Sequence, residues 1–557
     1  FGSRSGCCVL PAGARSEMMS WAVVILPMLM TMHLQGCGNS SGGTTATTTI
    51  TTTTTKTTTT SRPPPRAWSA SCAAHSRCSS RAGDCCPGSD GVVQQCCDQV
   101  ESGVTATPFI GMGYNPEPQK VRFSPVCDDW MADFGEVLWG PGVDGSQGRD
   151  DLQIMKDMGV DTVRTYGIGS QLNHSAFLNH AQKVGLKVIP GFADFPYLGT
   201  GSPCGMEKSG LPSRCAVTAD SDCHDTIQAH YKSMLSNGYT MVGGDGKRRY
   251  HPAVFVVTLA NEMELKLKWT PAPHNDMSKH AKIVVSALDG LISAEKELDV
   301  QGPKPLLTAT VSYATCPTCK SVQKRFPGVN GDSPFLASAA DLFLGVQNPK
   351  AFLGYTPRNS ELMEIYQSRW VTSFNVGRPL EAICENEQRS MKTYTEGPLG
   401  QVPLYLGEFH ASNPPVFPAN FGDQITKAQQ IVSNDGAAAA ACGPNGKNPM
   451  FGFNIFEYQV SYWKGASSEG GTALRYGLFG LGDRSLGKTR PDPSSIGTAT
   501  YDAWCLFPCA ISGGRPAPGA ATWAQSAVSA LRGKLPQAPR GCVSREPARA
   551  GNLSVVI

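Results

Sequence analysis

From about residue 105 onward, short apolar runs alternate with helical stretches, and this rhythm constrains the fold more than any other feature. The runs are FIGMGY (109–114), TVRTY (162–166), KVIPGF (187–192), VFVVTLA (254–260), LLTATVS (306–312), DLFLGV (341–346), LYLG (404–407) and FGFNIF (451–456). Between them the pattern predicts helices near 150–158, 175–184, 224–236, 277–298, 360–373 and 422–433. The helix due between the fifth and sixth runs is weakly signalled. Short apolar runs separated by helices read as parallel strands covered on both faces. Eight of them over roughly 350–400 residues fit an α/β fold, a closed (β/α)8 TIM barrel with inserted loops. The rival, an open doubly wound sheet, would carry a Gly-rich phosphate loop after its first strand, and none stands there.

Charge narrows the partners. The 557 residues hold 48 Lys plus Arg against 45 Asp plus Glu, and the first 100 residues account for the whole excess with seven basic and four acidic side chains. The remaining body is neutral and has no field to track phosphates, which argues against nucleic acid. A neutral polysaccharide or oligosaccharide suits it better.

The N-terminal segments read as processing and linker sequence. The stretch WAVVILPMLMTMHL (21–34) has the size of a signal-peptide core, shorter than the ~20 apolar residues of a membrane span. We therefore expect 1–38 to be a non-native leader plus signal peptide, with the native start at Met18 or Met19, no stable membrane span, and secretion to the cell exterior or cell wall. Residues 39–68 form a Thr/Pro-rich linker, with 14 threonines between Thr44 and Thr60. Six cysteines follow, Cys72, Cys78, Cys85, Cys86, Cys96 and Cys97, marking 69–100 as a small disulfide-rich module. His75 is its lone histidine and the spacing matches no common zinc pattern, so disulfides outrank metal. Such a module could dock the protein on a glycan surface. The barrel is assigned to 105–510 and an irregular tail to 511–557. Twenty cysteines suit an oxidising compartment, and Asn39, Asn173 and Asn552 stand in glycosylation tripeptides.

Barrel chemistry sits at the C-terminal ends of the strands. The fourth run ends in Asn261 and Glu262, the seventh in Glu408. A closed barrel brings those two ends to opposite sides of one mouth. Glycosidic cleavage needs that arrangement: one carboxyl protonates the leaving oxygen while the other attacks or activates water. A neighbouring carboxylate disfavours ionisation of the acid, and an arginine keeps the nucleophile charged. Glu264 reads as a loop residue, and Glu457, past the eighth run, as a binding residue.

The motifs ANE after strand four and GEF after strand seven resemble the acid/base and nucleophile motifs of retaining glycoside hydrolases of clan A. GMGYNP (111–116), the stretch from Asp151 to Tyr166, NHSAFLNHAQKVGLKV (173–188) and FEYQ (456–459) leading to RYGLF (475–479) resemble the β-1,3-glucanosyltransferase family in that clan. Tyr462-Trp463-Lys464 is similar to the related β-1,3-glucanases. The resemblance implies Glu262 as acid/base, Glu408 as nucleophile, Asn261 on the sugar 2-hydroxyl and Arg164 bracing the nucleophile. It implies further that Tyr114, Asn115 and Tyr458 line sugar subsites. Where the family carries a tyrosine after strand six, this chain reads GVQNPK (345–350), so that aromatic contact is either absent or supplied by Tyr355.

Tyr114, Tyr313, Tyr458 and Trp463 fall near expected strand ends, where aromatic faces can stack on sugars. No histidine set has ligand spacing, so no metal and no cofactor is expected. Cys316-Pro-Thr-Cys319 reads as structural, and Cys505 with Cys509 as a clasp on the C-terminal segment. The sequence as a whole reads as a monomeric, secreted retaining glycosidase or transglycosylase on a neutral, β-1,3-linked glucan. The alternatives are a glycan-binding barrel without turnover, or a lyase or aldolase using a strand-end lysine such as Lys266 or Lys268.

Overall fold

The computed structural model describes residues 69–535 apart from 89–91, 95, 119–126, 143–146, 200–203, 218–221, 268–276, 313–333, 385–389, 412–419, 444–447, 463–475, 495–497 and 510–521. The leader, the Thr tract, Asn39, Asn552, Tyr313, Cys316, Cys319, Trp463 and Lys268 lie outside the described residues.

Eight parallel strands form the barrel: β1 (Phe109–Tyr114), β2 (Thr162–Thr165), β3 (Lys187–Ile189), β4 (Val256–Asn261), β5 (Leu306–Ser312), β6 (Thr372–Val376), β7 (Leu404–Phe409) and β8 (Met450–Ile455). They pair in the order β3-β2-β1-β8-β7-β6-β5-β4. Parallel bridges Val188–Val254 and Gly191–Thr258 join β3 to β4 and close the cylinder. Helices cover the outside: α1 (Asp151–Asp157), α2 (Ser175–Val184), α3 (His224–Met234), α4 (Met277–Glu297), α5 (Pro334–Gln347), α6 (Leu362–Arg369), α7 (Phe421–Val432) and α8 (Trp523–Leu531). The outer layer follows from apolar periodicity. In α2, for example, Phe177, Leu178 and Ala181 are buried on one stripe, and Gly185, at φ 79°, ends the helix in the left-handed region that glycine tolerates.

The barrel floor is an aromatic plug. Phe109 meets Phe255, Tyr405 and Phe451 edge-on at 5.4–5.6 Å between ring centroids. Gly452 makes the room, since a Cβ there would stand 2.1 Å from the Phe109 ring. Beneath the mouth the barrel is therefore packed solid, and chemistry is confined to the opposite end.

Three expectations need correction. DLFLGV is part of helix α5, and the sixth strand is TSFNV (372–376), which starts at the end of the stretch 360–373 read as a helix, after α6. The comparison of GVQNPK with a tyrosine after strand six falls away with it, since Gln347 ends α5. Tyr355 is buried with its hydroxyl 2.5 Å from Asp289. The chain past residue 511 is not irregular throughout: α8 starts from a Thr522–Gln525 capping box and buries Trp523, Ala527 and Leu531.

The cysteine module belongs to the same compact unit as the barrel. Cys78–Cys96 and Cys86–Cys97 are disulfides, while Cys72 and Cys85 are buried thiols. The sulfurs of Cys78, Cys85, Cys86 and Cys97 cluster within 4.8 Å, but the two disulfides leave Cys85 as the one thiol of that group. Backbone and side-chain bonds fasten the module to the barrel's helical layer, with Gln347 Nε2 donating to the Cys86 carbonyl at 2.9 Å and the Val100 N–H to that of Pro398 at 2.8 Å. Cys127–Cys204, Cys215–Cys223 and Cys384–Cys442 brace the barrel itself. Cys505 is disulfide-bonded and Cys509 is a buried thiol, so those two do not clasp each other.

Candidate active site

A cavity of about 330 Å³ opens at the C-terminal mouth of the barrel, lined by residues that include Asn115, Arg164, Asn261, Glu262, Glu408 and Glu457. Its size falls in the range of small-ligand sites, ~300–1,000 Å³.

Two backbone irregularities aim the glutamates. The β4–β5 register shifts between Thr258 and Asn261, and Glu262 then takes φ 50°, ψ 38°. A left-handed glutamate costs roughly 1–2 kcal/mol, and the Glu262 N–H bond to the Thr310 carbonyl, at 2.8 Å, helps hold it there. The turn ends the strand and puts Glu262 on the cavity wall. On the facing side, the β6–β7 register shifts between Leu406 and Glu408. Such bulges re-aim a side chain, and the Glu408 carboxylate, 14% exposed, reaches the cavity.

Arg164 ties the two sides together. It is fully buried on β2. Nη1 lies 3.5 Å from Glu408 Oε1 and donates to Asn375 Oδ1 at 3.0 Å, while Nη2 donates to Asn261 Oδ1 at 2.6 Å. Asn375 Nδ2 also donates to Asn261 Oδ1, at 3.2 Å. Burial opposes the guanidinium charge, but Tyr166, Glu408, Tyr405 and Glu262 outweigh it and hold the pKa above its ordinary value. Arg164 is therefore a permanent cation beneath the cavity. Its Cζ lies 4.8 Å from the Tyr166 ring centroid. Burial, with Glu408 and Glu457, pushes the Tyr166 hydroxyl well above 10 against the pull of Arg164. Tyr166 thus stays a neutral donor facing Glu408, in a geometry short of a full hydrogen bond.

The backbone leaves no slack here. A Cβ on Gly407 would stand 2.6 Å from Asn375 Oδ1 and 2.8 Å from Arg164 Nη1. On the rim, Lys266 Nζ pairs with Asp194 at 2.8 Å, both about a third exposed. That pairing commits Lys266, one of the two lysines named for an aldolase. Glu457 accepts from Ser461 Oγ at 2.8 Å.

The structure brings Asn115, Arg164, Asn261, Glu262 and Glu408 to one cavity. It does not bring Tyr114 and Tyr458 there. Both are fully buried, with hydroxyls on the two oxygens of Asp151 at 2.9 and 3.0 Å, and Arg149 clamps the same carboxylate at 2.8 and 2.6 Å. They brace β1 against α1 and are not among the lining residues. Asn375, Tyr166 and Asp194 escaped the sequence reading, which named Lys266 only as a strand-end lysine for an aldolase. Asn375 could be found only by recognising β6.

No family model matches this chain, and no curated protein sequence matches it. Among solved structures it is similar to a family 1 β-glucosidase from Thermotoga maritima, at 13% identity over 68% of this chain and 94% of that one, with a TM-score of 0.37. It is similar to ScGas2, solved with a bound compound, at 12% identity over 80% of this chain and 71% of that one, with a TM-score of 0.38. An AHE enzyme from Alicyclobacillus herbarius aligns at 12% identity over 68% and 94% of the two chains, with a TM-score of 0.34. The barrel itself is established by this chain's own strand register, which runs parallel through all eight strands and closes between β3 and β4.

Proposed function

We propose that this protein is a secreted retaining glycosidase or transglycosylase acting on a neutral, β-1,3-linked glucan by double displacement. One observation carries the reading: Glu262, just past β4, and Glu408, on β7, line one cavity, and of the two it is Glu408 that the buried Arg164 approaches to ion-pair distance, 3.5 Å.

The asymmetry assigns the roles. Arg164 favours the charged form of Glu408, so Glu408 attacks the anomeric carbon while Glu262 gives its proton to the departing oxygen. In the second half Glu262 takes a proton from water or from an incoming sugar hydroxyl, which displaces Glu408. Asn261 is oriented for the sugar. Its Oδ1 accepts from Arg164 and Asn375, which leaves the NH2 as the edge offered to a 2-hydroxyl. The wall carries Glu117, Asp128, Asp194, Glu262, Glu408 and Glu457 against Arg164 and Lys266. An anionic glycan would meet repulsion there, and a neutral one would not. The disulfides support an oxidising destination, and no helix among the described residues is long and apolar enough to cross a membrane.

The test is incubation with laminari-oligosaccharides, followed by product sizing and anomer analysis. Shorter products of retained configuration indicate hydrolysis, and longer ones indicate transfer. Inverted products, or tight binding without any product, would contradict the reading.

A further inference from the structure

Behind Glu262 lies a second, sealed pair of titratable groups. Glu264 sits in the helical turn Met263–Lys266 and is 4% exposed. Its Oε1 accepts the Ser312 N–H at 2.6 Å. The regular β4–β5 ladder ends where Asn261 faces Thr310, and the Glu262 N–H bonds the Thr310 carbonyl. The Glu264 carboxyl thus stands in for the backbone carbonyl the ladder would need next, and it ties the turn carrying Glu262 to the end of β5.

The other oxygen, Oε2, makes no hydrogen bond, and it faces His280 Nε2 on α4 at 4.0 Å, which makes none either. Two buried polar atoms left unpaired are costly, ~1–3 kcal/mol each. A proton on Oε2 leaves both groups uncharged, though the 4.0 Å gap is longer than a hydrogen bond. His280 Nδ1 meets Ser338 Oγ on α5 at 3.1 Å, so a proton on Nδ1 leaves Nε2 free to accept. Among the described residues, the other charged groups near the pair are Glu262, Lys266, already committed to Asp194, and Asp341, buried one turn along α5 from Ser338.

We propose, on the reading of Glu262 given above, that Glu264 is a positioning residue. As a neutral acid it clamps β5 through Oε1, keeps Oε2 toward His280 in a sealed site, and so fixes the turn that presents Glu262; ionisation places an uncompensated charge in that site and draws the turn toward water. The charge states agree with this. Burial, reinforced by Glu262, raises Glu264 to about 8, and burial lowers His280 to about 4.

E264Q keeps the Ser312 bond and an uncharged polar group toward His280, since the amide oxygen can accept from the Ser312 N–H. E264A keeps neither. With laminari-oligosaccharides at pH 6, E264A should lose at least about tenfold in kcat with KM within about threefold, while E264Q retains more than about a third. At pH 9, one unit above a midpoint near 8, wild type should have lost about tenfold more of its kcat than E264Q has. Equal kcat in E264A and wild type, or the same alkaline loss in E264Q, overturns the proposal. If E262Q is dead while E264A is fully active, the proposal fails and the glycosidase reading stands. Infrared difference spectra of the whole protein without substrate decide the proton independently of turnover. A buried protonated carboxyl band at pH 7, absent in E264Q, is expected, and its absence from wild type overturns the proposal whatever the enzyme cleaves.

Discussion

Arg164 Nη1 lies 3.5 Å from Glu408 Oε1, and the same guanidinium holds Asn261 through its other nitrogen at 2.6 Å. One buried cation thus stands beside the residue proposed as nucleophile and holds the amide proposed for the sugar. Removing it leaves a carboxylate 14% exposed without its cation, a loss of about 3–5 kcal/mol for a buried pair. We expect R164M to lower kcat/KM by at least about a hundredfold. R164K, which keeps the charge but cannot fork, should fall between R164M and wild type. Steady-state kinetics alongside circular dichroism check both.

Gly407 tests how tightly the same cluster is packed. An alanine Cβ there would stand 2.6 Å from Asn375 Oδ1, 2.7 Å from Thr310 Cγ2 and 2.8 Å from Arg164 Nη1. Overpacking of this kind costs about 1–3 kcal/mol. G407A should lower the melting temperature and reduce kcat by at least about tenfold. At Gly244, where a Cβ meets nothing within 4 Å, alanine should change neither.

The stability of the fold should depend on pH through Glu264 and His280, with opposite signs. Glu264 ionises near 4.5 when unfolded and near 8 when folded. Between those values the native state holds the extra proton, and stability falls as pH rises. His280 titrates near 6.5 unfolded and near 4 folded, so the unfolded state binds the extra proton and stability rises from pH 4 to 6.5. Each limiting slope is about 1.4 kcal/mol per pH unit. The two cancel from 4.5 to 6.5, leaving a net fall from 6.5 to 8. Denaturant melts of E264Q should lose that fall and uncover the His280 rise from pH 4 to 6.5.

Cys127 lines the cavity and is joined to Cys204 across 77 residues. A loop that long is worth on the order of 4 kcal/mol in the chain-entropy account. The C127A/C204A variant should melt at lower temperature and raise KM more than it lowers kcat, because the bond holds a wall and touches no reacting atom. An unchanged KM would remove that wall from substrate binding.

The strands bearing the two glutamates were legible because each is an apolar run with its polar residue at the very end. β6 was not, for the opposite reason. TSFNV is largely polar, yet every residue is buried, because Ser373 accepts from Thr310 Oγ1 and Asn375 bonds Arg164. Such polar strand residues are what a site at the mouth requires, and they erase the apolar signal. DLFLGV misleads in reverse: it lies in α5, where Leu342, Phe343, Leu344 and Val346 are all buried, and a short apolar run does not distinguish buried helix from strand. Tyr114 and Tyr458 stood at strand ends as sugar platforms would. Their partners Arg149 and Asp151, which turn them into a brace, come together only in the folded chain.

The central claim is that Glu408 attacks the sugar while Glu262 moves the proton. An activated 2-deoxy-2-fluoro-β-glucoside, whose glycosyl-enzyme breaks down slowly, followed by peptide mass mapping, tests it most directly. The account predicts one added glycosyl mass, on Glu408, formed more slowly in the R164M variant and absent from E408Q. A label on any other residue, or product of inverted configuration with no label, would contradict it.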